Sequence, residues 1–277
     1  MKINDYITEC EGIFYKHETS ENLQCNTYST HTHNMYELIY FVRGNASHII
    51  EDRKYKLKKG DLILIRPFHY HFIQIDAPDD YERYDILFDP VRHNIESTEL
   101  IPADTEVINL IGNTAAEDIF KKLDLYNANA SPEIFAKLIP TLLSELFYNI
   151  SLFPQTKSDE ISSASPLISE ALRYINENLC TISGIGEIAK HLFVSESYLF
   201  RIFKNELHES PKKYIMDKRL LLAQKMIASG ERPIHVCETC GFGDYTSFYR
   251  NYTAFFGHSP SNDSRKVLPN ALKSASP

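Results

Sequence analysis

Between residues 188 and 260 the chain repeats itself, and this duplication restricts what its C-terminal part can fold into. SESYLFRIF at 195–203 aligns with DYTSFYRNY at 244–252, an offset of 49. The offset continues downstream, where Ser210-Pro211 answers Ser259-Pro260 and His208 answers Gly257. Upstream it falls to 48: Ile188-Ala189 answers Val236-Cys237, and Leu192 answers Cys240. One extra residue in the second turn accounts for the change. Each copy reads as a short helix, a turn and a second helix. Ser195 and Asp244 are good N-caps for the second helices, and Gly241 suits the left-handed position that ends a helix. Leu199 and Phe203, or Phe248 and Tyr252, lie four residues apart and should face a core, leaving the positions between them outward. Residues 211–229 carry Tyr214, Ile215, Leu222, Met226 and Ile227 at helical spacing, with Gly230 just past the end. This helix would hold two helix-turn-helix units at a fixed separation, so that they read successive major grooves about one DNA turn apart. Shape alone also fits a plain helical bundle. The arginine at the same place in both copies, Arg201 and Arg250, favours a DNA reader.

The stretches IAKHLFVSESYLFRIFKNELHESPKKYIMDKRLLLAQKMIASG and CGFGDYTSFYRNYTAFFGHSP resemble the DNA-binding domain of the AraC/XylS regulators. The shared motifs include the Ser-Pro-x-x-Tyr-x-x-x-x-Arg-Leu run ending at Leu220 and the Gly-Phe-x-Asp run ending at Asp244. The resemblance implies that the second helix of each unit reads bases. By position, the implied contacts are Ser197, Phe200 and Arg201 in the first unit, with Lys204 on phosphate. In the second they are Tyr245, Thr246, Tyr249 and Arg250. Arginine pairs bidentately with guanine, and threonine or an aromatic ring touches a thymine methyl. The chain departs from the family at three places. Thr253 stands where a lysine is frequent, His208 where glycine is usual, and Ser-Asn-Asp-Ser-Arg265 replaces the usual Tyr-Arg pair. These changes imply weaker phosphate anchoring by the second unit.

A net charge of −8 looks wrong for such a role until the chain is divided. From residue 165 onward there are 14 Lys and Arg against 11 Asp and Glu; before it there are 15 against 26. Only the second, slightly basic part need meet phosphate. Five scattered cysteines do not make a disulfide framework, so reduced thiols are expected. Cys237 and Cys240 form a CxxC, but both fall on core positions of a helix and read as small apolar residues. No apolar run reaches membrane-spanning length and the first residues are polar, so the expectation is a cytoplasmic protein without a membrane partner.

The N-terminal part reads differently. Segments 36–42, 47–50, 61–65 and 84–88 are rich in aromatic and branched residues and are separated by turn signals, as in a sandwich or small barrel. Two helices should follow. The first, at 115–126, carries Ala116, Ile119, Phe120 and Leu123. The second, at 132–152, carries Phe135, Leu138, Ile139, Leu142, Leu146 and Ile150 on one face, with a kink expected at Pro140. That stripe either packs within the domain or forms a dimer interface. Residues 155–165 are polar and serine-rich, as in a linker.

His31, His33 and Glu37 would share one face of an extended segment. If a hairpin brings His71 opposite, three imidazoles and a carboxylate converge, a donor set for a divalent transition metal. The spacing His-x-His-x3-Glu-x6-Gly, with a later Gly, Pro and His, resembles a cupin barrel, although Pro67 falls one place late and His69 replaces the usual glycine. The resemblance to AraC-type regulators implies a different use: a cupin-like domain that senses a small molecule such as a sugar. The same residues then serve as polar pocket walls, with Arg43, Arg66, His69 and Tyr84 as further candidates. Both readings stand at this point.

The expected fold class is therefore α+β, with an N-terminal cupin-like β-barrel plus helices and an all-α domain with two helix-turn-helix units. The expected divisions are a sensor barrel at 1–100, a helical dimerisation or packing segment at 101–154, a linker at 155–165, the DNA-binding domain at 166–268 and a flexible tail at 269–277. The leading function is a ligand-responsive transcription regulator with three partners: double-stranded DNA, a small-molecule effector such as a sugar, and a second copy of the chain. A metal-responsive regulator is the alternative, and a metal-dependent cupin enzyme a further one.

Overall fold

The structure is a computed structural model. It describes residues 3–266, apart from 29, 154–155, 158–159 and 164. The chain divides into two compact units, Met1–Ser163 and Ala164–Pro277. The tail expected at 269–277 lies outside the described residues.

The N-terminal unit is built on two sheets. One has seven strands in the order β1 (Ile3–Cys10), β2 (Ile13–Leu23), β9 (Asp79–Phe88), β4 (Tyr36–Arg43), β7 (Asp61–Ile65), β10 (Val107–Asn109) and β11 (Thr156–Lys157). The other has five, in the order β12 (Glu160–Ser163), β6 (Arg53–Lys56), β5 (Ala46–Ile50), β8 (His71–Ile75) and β3 (Asn26–Thr27). This corrects the expected cupin-like barrel. Neither sheet closes: each ends in two edge strands, β1 and β11 in one, β12 and β3 in the other. Alternating short strands are common to open sandwiches and barrels, and closure depends on which edges find each other, a non-local choice that strand patterning does not encode. β11 and β12 also lie within the stretch expected to be a linker.

Side chains alternate across each strand, so the larger sheet has two different faces. One carries Ile13, Tyr15, Leu38, Tyr40, Leu62, Leu64, Ile86 and Phe88, buried under two helices, α1 (Thr114–Asn129) and α2 (Pro132–Leu152). The apolar stripe of α2, including Phe135, Ile139, Leu142, Leu146 and Ile150, is spent on this contact. The helix runs unbroken through Pro140. Asn113 and Ser131 cap the two helices by accepting from Ala116 N and Ile134 N. The other face meets the second sheet through Ile39, Phe41, Ile63 and Ile65 against Ala46, Ile50, Ile73 and Ile75.

Asp124 fastens α1 to the sheet. It accepts from Tyr15 (2.8 Å) and Tyr84 (2.7 Å) and lies 3.0 Å from His17 Nδ1, while His17 Nε2 is 3.2 Å from Glu82. Burial works against a charged His17, but Asp124 and Glu82 more than offset it and raise its pKa above the ordinary 6.5. A raised folded-state value means that this contribution to stability is complete below 6.5 and is lost as pH rises through the raised value. Urea unfolding from pH 6 to pH 9 should therefore show the advantage of the native chain over Asp124→Asn shrinking as pH rises. An advantage independent of pH would contradict it.

The C-terminal unit contains α3 (Pro166–Asn178), α4 (Ile185–His191), α5 (Glu196–Glu206), α6 (Pro211–Ala228), α7 (Pro233–Thr239), α8 (Tyr245–Phe256) and α9 (Pro260–Lys266). Its caps are those the sequence marks: Ser195 accepts from Tyr198 N, Ser210 from Lys213 N and Asp244 from Ser247 N. Cys237 and Cys240 are buried in the core with Val236, Phe248 and Tyr252. Burial pushes the Cys240 thiol up to about 12, which suits packing rather than thiolate chemistry. Among the described residues, no helix is long and apolar enough to cross a membrane.

Candidate functional site

Two regions concentrate chemistry. The first is the pair of helices α5 and α8. Leu199 and Phe203 in α5, and Phe248 and Tyr252 in α8, are fully buried. They fix the rotation of each helix about its axis. Ser197, Phe200, Arg201 and Lys204 are then exposed, as are Thr246, Tyr249 and Arg250, while Tyr245 is half-buried against Phe248. The Arg201 guanidinium lies 5.1 Å from the Tyr198 ring centroid.

The turn before α8 is held by a tight backbone crossing. Gly241 has φ +77°, and a Cβ there would lie 2.2 Å from the Cys180 carbonyl oxygen. Arg219 of α6 stands beside it and donates to three backbone carbonyls, those of Leu179 (2.8 Å), Ile182 (2.6 Å) and Gly241 (2.8 Å). Within this unit it ties the loop after α3 to the turn of the second helix-turn-helix.

The second region lies between the sheets of the N-terminal unit. His31 pairs with His71 across a β-bridge, and this brings His31, His33, Glu37 and His71 together, with one donor atom from each within 4.8 Å of the others. Glu37 and His71 are buried. His33 Nε2 is 2.9 Å and His71 Nε2 2.8 Å from the same Glu37 oxygen, Oε2. The opposite nitrogen of each ring faces a backbone carbonyl: His33 Nδ1 is 3.0 Å from Met35 O, and His71 Nδ1 is 3.0 Å from His69 O. A carbonyl can only accept, so both Nδ1 atoms carry hydrogen, and in the neutral rings each Nε2 carries a lone pair close to a carboxylate oxygen, His33 in hydrogen-bonding geometry and His71 outside it. Lone pairs and a carboxylate set this close together are the donor arrangement that a bound cation satisfies. Carbonyl partners that fix the tautomer are also the usual outer support of metal-binding histidines. Burial would raise the Glu37 pKa, but His33 and His71 hold it well below the ordinary carboxylate range.

The polar character continues inward. Lys16, Glu18 and Ser20 on β2, Arg83 and Asp85 on β9, and His48 on β5 lie on the faces that the two sheets turn toward each other. The Arg83 guanidinium lies 3.4 Å from Glu18 and 3.5 Å from Asp85. His48 stacks on His71 with ring centroids 5.9 Å apart. Burial holds the His48 imidazole well below its ordinary value, hence neutral, and burial together with Glu37 raises the Asp85 carboxyl. Ser20 Oγ, both His48 nitrogens, Tyr81 OH and Asp85 Oδ1 have no hydrogen-bond partner among the described residues. Buried polar atoms left in this condition are costly. The inter-sheet interior thus has an apolar part around Ile39, Phe41, Ile63 and Ile65 and a polar part around Glu18, His48, Arg83 and Asp85.

These inner residues escaped the sequence reading. A usable signal was Tyr81, Arg83 and Asp85 alternating along a strand whose other face, Tyr84, Ile86 and Phe88, is also apolar or aromatic. The remaining pocket candidates lie elsewhere. Tyr84 faces the helices and bonds Asp124. Arg43 is paired with Glu82 and Asp80 at the surface. Arg66 donates to the carbonyls of Ile101, Pro102 and Thr105. His69 lies 3.7 Å from Glu106, which also binds Arg53 and Tyr55.

Comparison with known proteins matches each region separately. Residues 20–124 match the AraC-like ligand binding domain and residues 188–266 a helix-turn-helix domain. The uncharacterized HTH-type transcriptional regulator YfiF of Bacillus subtilis is 27% identical over 94% of this chain and 87% of its own length. The HTH-type transcriptional activator RhaR of Escherichia coli is 23% identical over 85% of this chain and 86% of its own. Among solved structures, the C-terminal domain of AraT, a response regulator from Geobacillus stearothermophilus, is 27% identical over 40% of this chain and 93% of that one, with a TM-score of 0.37. The relatives reported are transcription regulators, and none is an enzyme. The chain thus resembles AraC-type regulators in both parts, an AraC-like ligand binding domain in the N-terminal part and a helix-turn-helix domain in the C-terminal part.

Proposed function

We propose that this regulator is metal-responsive: a divalent transition metal held by His31, His33, Glu37 and His71 sets the affinity with which α5 and α8 read DNA. The observation that carries the reading is the convergence of four donor atoms within 4.8 Å of one another, with the Nδ1 of His33 and of His71 each held by a backbone carbonyl. Three imidazoles and one carboxylate suit Zn, Fe, Ni or Mn. A metal can act as an effector only by binding the DNA-competent and incompetent states unequally. The contacts to DNA are Ser197, Phe200, Arg201 and Lys204 from the first unit and Tyr245, Thr246, Tyr249 and Arg250 from the second. The chain works as a homodimer. The stripe of α2 is used inside the unit, so the surface open to a second copy is the opposite face, where Ile134, Tyr148 and Leu152 are exposed.

Isothermal titration of the metal-free full chain with Mn(II), Co(II), Ni(II) and Zn(II) tests the site. The expected result is one ion per chain for at least one metal, with affinity reduced a hundredfold or more in His71→Ala and Glu37→Gln. No saturable binding of any of the four metals defeats the proposal. A second reading is favoured by the unsatisfied polar atoms Ser20 Oγ, His48 Nδ1 and Nε2, Tyr81 OH and Asp85 Oδ1: a small hydroxylated effector, such as a sugar, enters between the sheets beside them. Binding of a sugar to the metal-free chain, lost in Asp85→Ala but retained in Glu37→Gln, would select that reading.

A further inference from the structure

The two reading helices present equivalent side chains at three outward positions, although Tyr245 of the second is answered by Glu196 in the first. Counted from the N-caps Ser195 and Asp244, the second position is Ser197 or Thr246, the fifth Phe200 or Tyr249, and the sixth Arg201 or Arg250. The buried residues that set helix rotation fall at the same counts, four and eight: Leu199 and Phe203 in α5, Phe248 and Tyr252 in α8. Each trio therefore leaves its helix at the same phase and the same distance from the cap. Exposure agrees as well: Phe200 is 46% exposed and Tyr249 43%. A hydroxyl, an aromatic ring and a guanidinium in equal positions offer the same pattern of contacts to base edges. That pattern is a bidentate donor for guanine beside an apolar surface for a thymine methyl.

We infer that the two units read the same short base element, so that the duplex site contains two copies of it, each with a guanine next to thymine, centred about one helical turn apart. The inference rests on α5 and α8 being the base-reading helices. The copies are not read with equal stringency. Tyr198 lies beneath Arg201, whereas its counterpart after Asp244 is Ser247, and Lys204 is answered by Thr253. The first unit has the steadier arginine and the extra cation, so its copy tolerates fewer substitutions.

Selection of binding sites from a random-sequence duplex library tests this, using the full-length protein both metal-free and loaded with Zn(II), alongside Arg201→Ala and Arg250→Ala. The expected consensus holds two near-identical elements. Arg201→Ala should relax the guanine in one copy and Arg250→Ala the equivalent guanine in the other, each with roughly a tenfold loss of affinity. Two unrelated elements, or variants that relax non-equivalent positions, overturn the repeat while leaving base reading intact. No enriched sequence under either condition, with retention governed by salt alone, overturns the base-reading helices and the repeat together.

Discussion

Gly241→Ala is expected to destabilise the C-terminal unit by about 3 kcal/mol, lowering its thermal midpoint by on the order of 10–20 °C. Two effects add. The backbone at Gly241 is left-handed, φ +77°, a region that costs a residue with a Cβ about 1 kcal/mol or more. The added methyl would also lie 2.2 Å from the Cys180 carbonyl oxygen, an atom of the main chain that cannot rotate away. Relief requires the turn before α8 to separate from the loop after α3, which pulls the carbonyls of Gly241, Leu179 and Ile182 off Arg219. Gly243→Ala provides the control, since nothing lies within 4 Å of a Cβ at that position. Equal midpoints for the two variants, followed by calorimetry, would contradict the account of this crossing.

The double variant Arg201→Ala with Arg250→Ala should bind its specific DNA about a hundredfold more weakly, roughly 3 kcal/mol, with the fold unchanged. A lost base contact costs about 1–3 kcal/mol. The two arginines lie on different helices with no contact between them among the described residues, so their effects should add. Both side chains are exposed, so circular dichroism and the unfolding midpoint should match the native chain. Competition against non-specific DNA separates base reading from charge loss. If specific and non-specific binding fall in parallel, the arginines act on phosphate only.

The helical half of this protein was legible from its sequence because its signals are local. Ser195, Asp244 and Gly241 mark helix ends within a few residues, and the spacing of Leu199 with Phe203 or Phe248 with Tyr252 names the buried face. Left-handed φ values of +55° at His208 and +73° at Gly257 even explain why these two residues answer each other in the repeat. The sheet half was less legible. Strand positions follow alternation, but the pairing of β2 with β9 joins residues some 65 positions apart, Glu18 with Arg83. Only that register places Glu18, Arg83 and Asp85 in one interior. Closure failed for the same reason, since no short segment states which edge strand pairs with which. The cluster of His31, His33, Glu37 and His71 was legible because three of its members lie within seven residues and the fourth needs a single bridge. Tyr84 was misplaced by one step of alternation: as a neighbour of Arg83 on the strand it points to the helices instead of the interior.

The central claim is that occupancy of the inter-sheet cluster governs DNA reading, and one titration tests it directly. Fluorescence anisotropy of a labelled promoter fragment would be followed with the full-length chain, first in chelator and then with the metal that binds it best, for the native protein and His71→Ala. The account predicts DNA affinities that differ by about tenfold or more between the two native states, and no difference for His71→Ala. Equal affinity with and without bound metal in the native chain would contradict it.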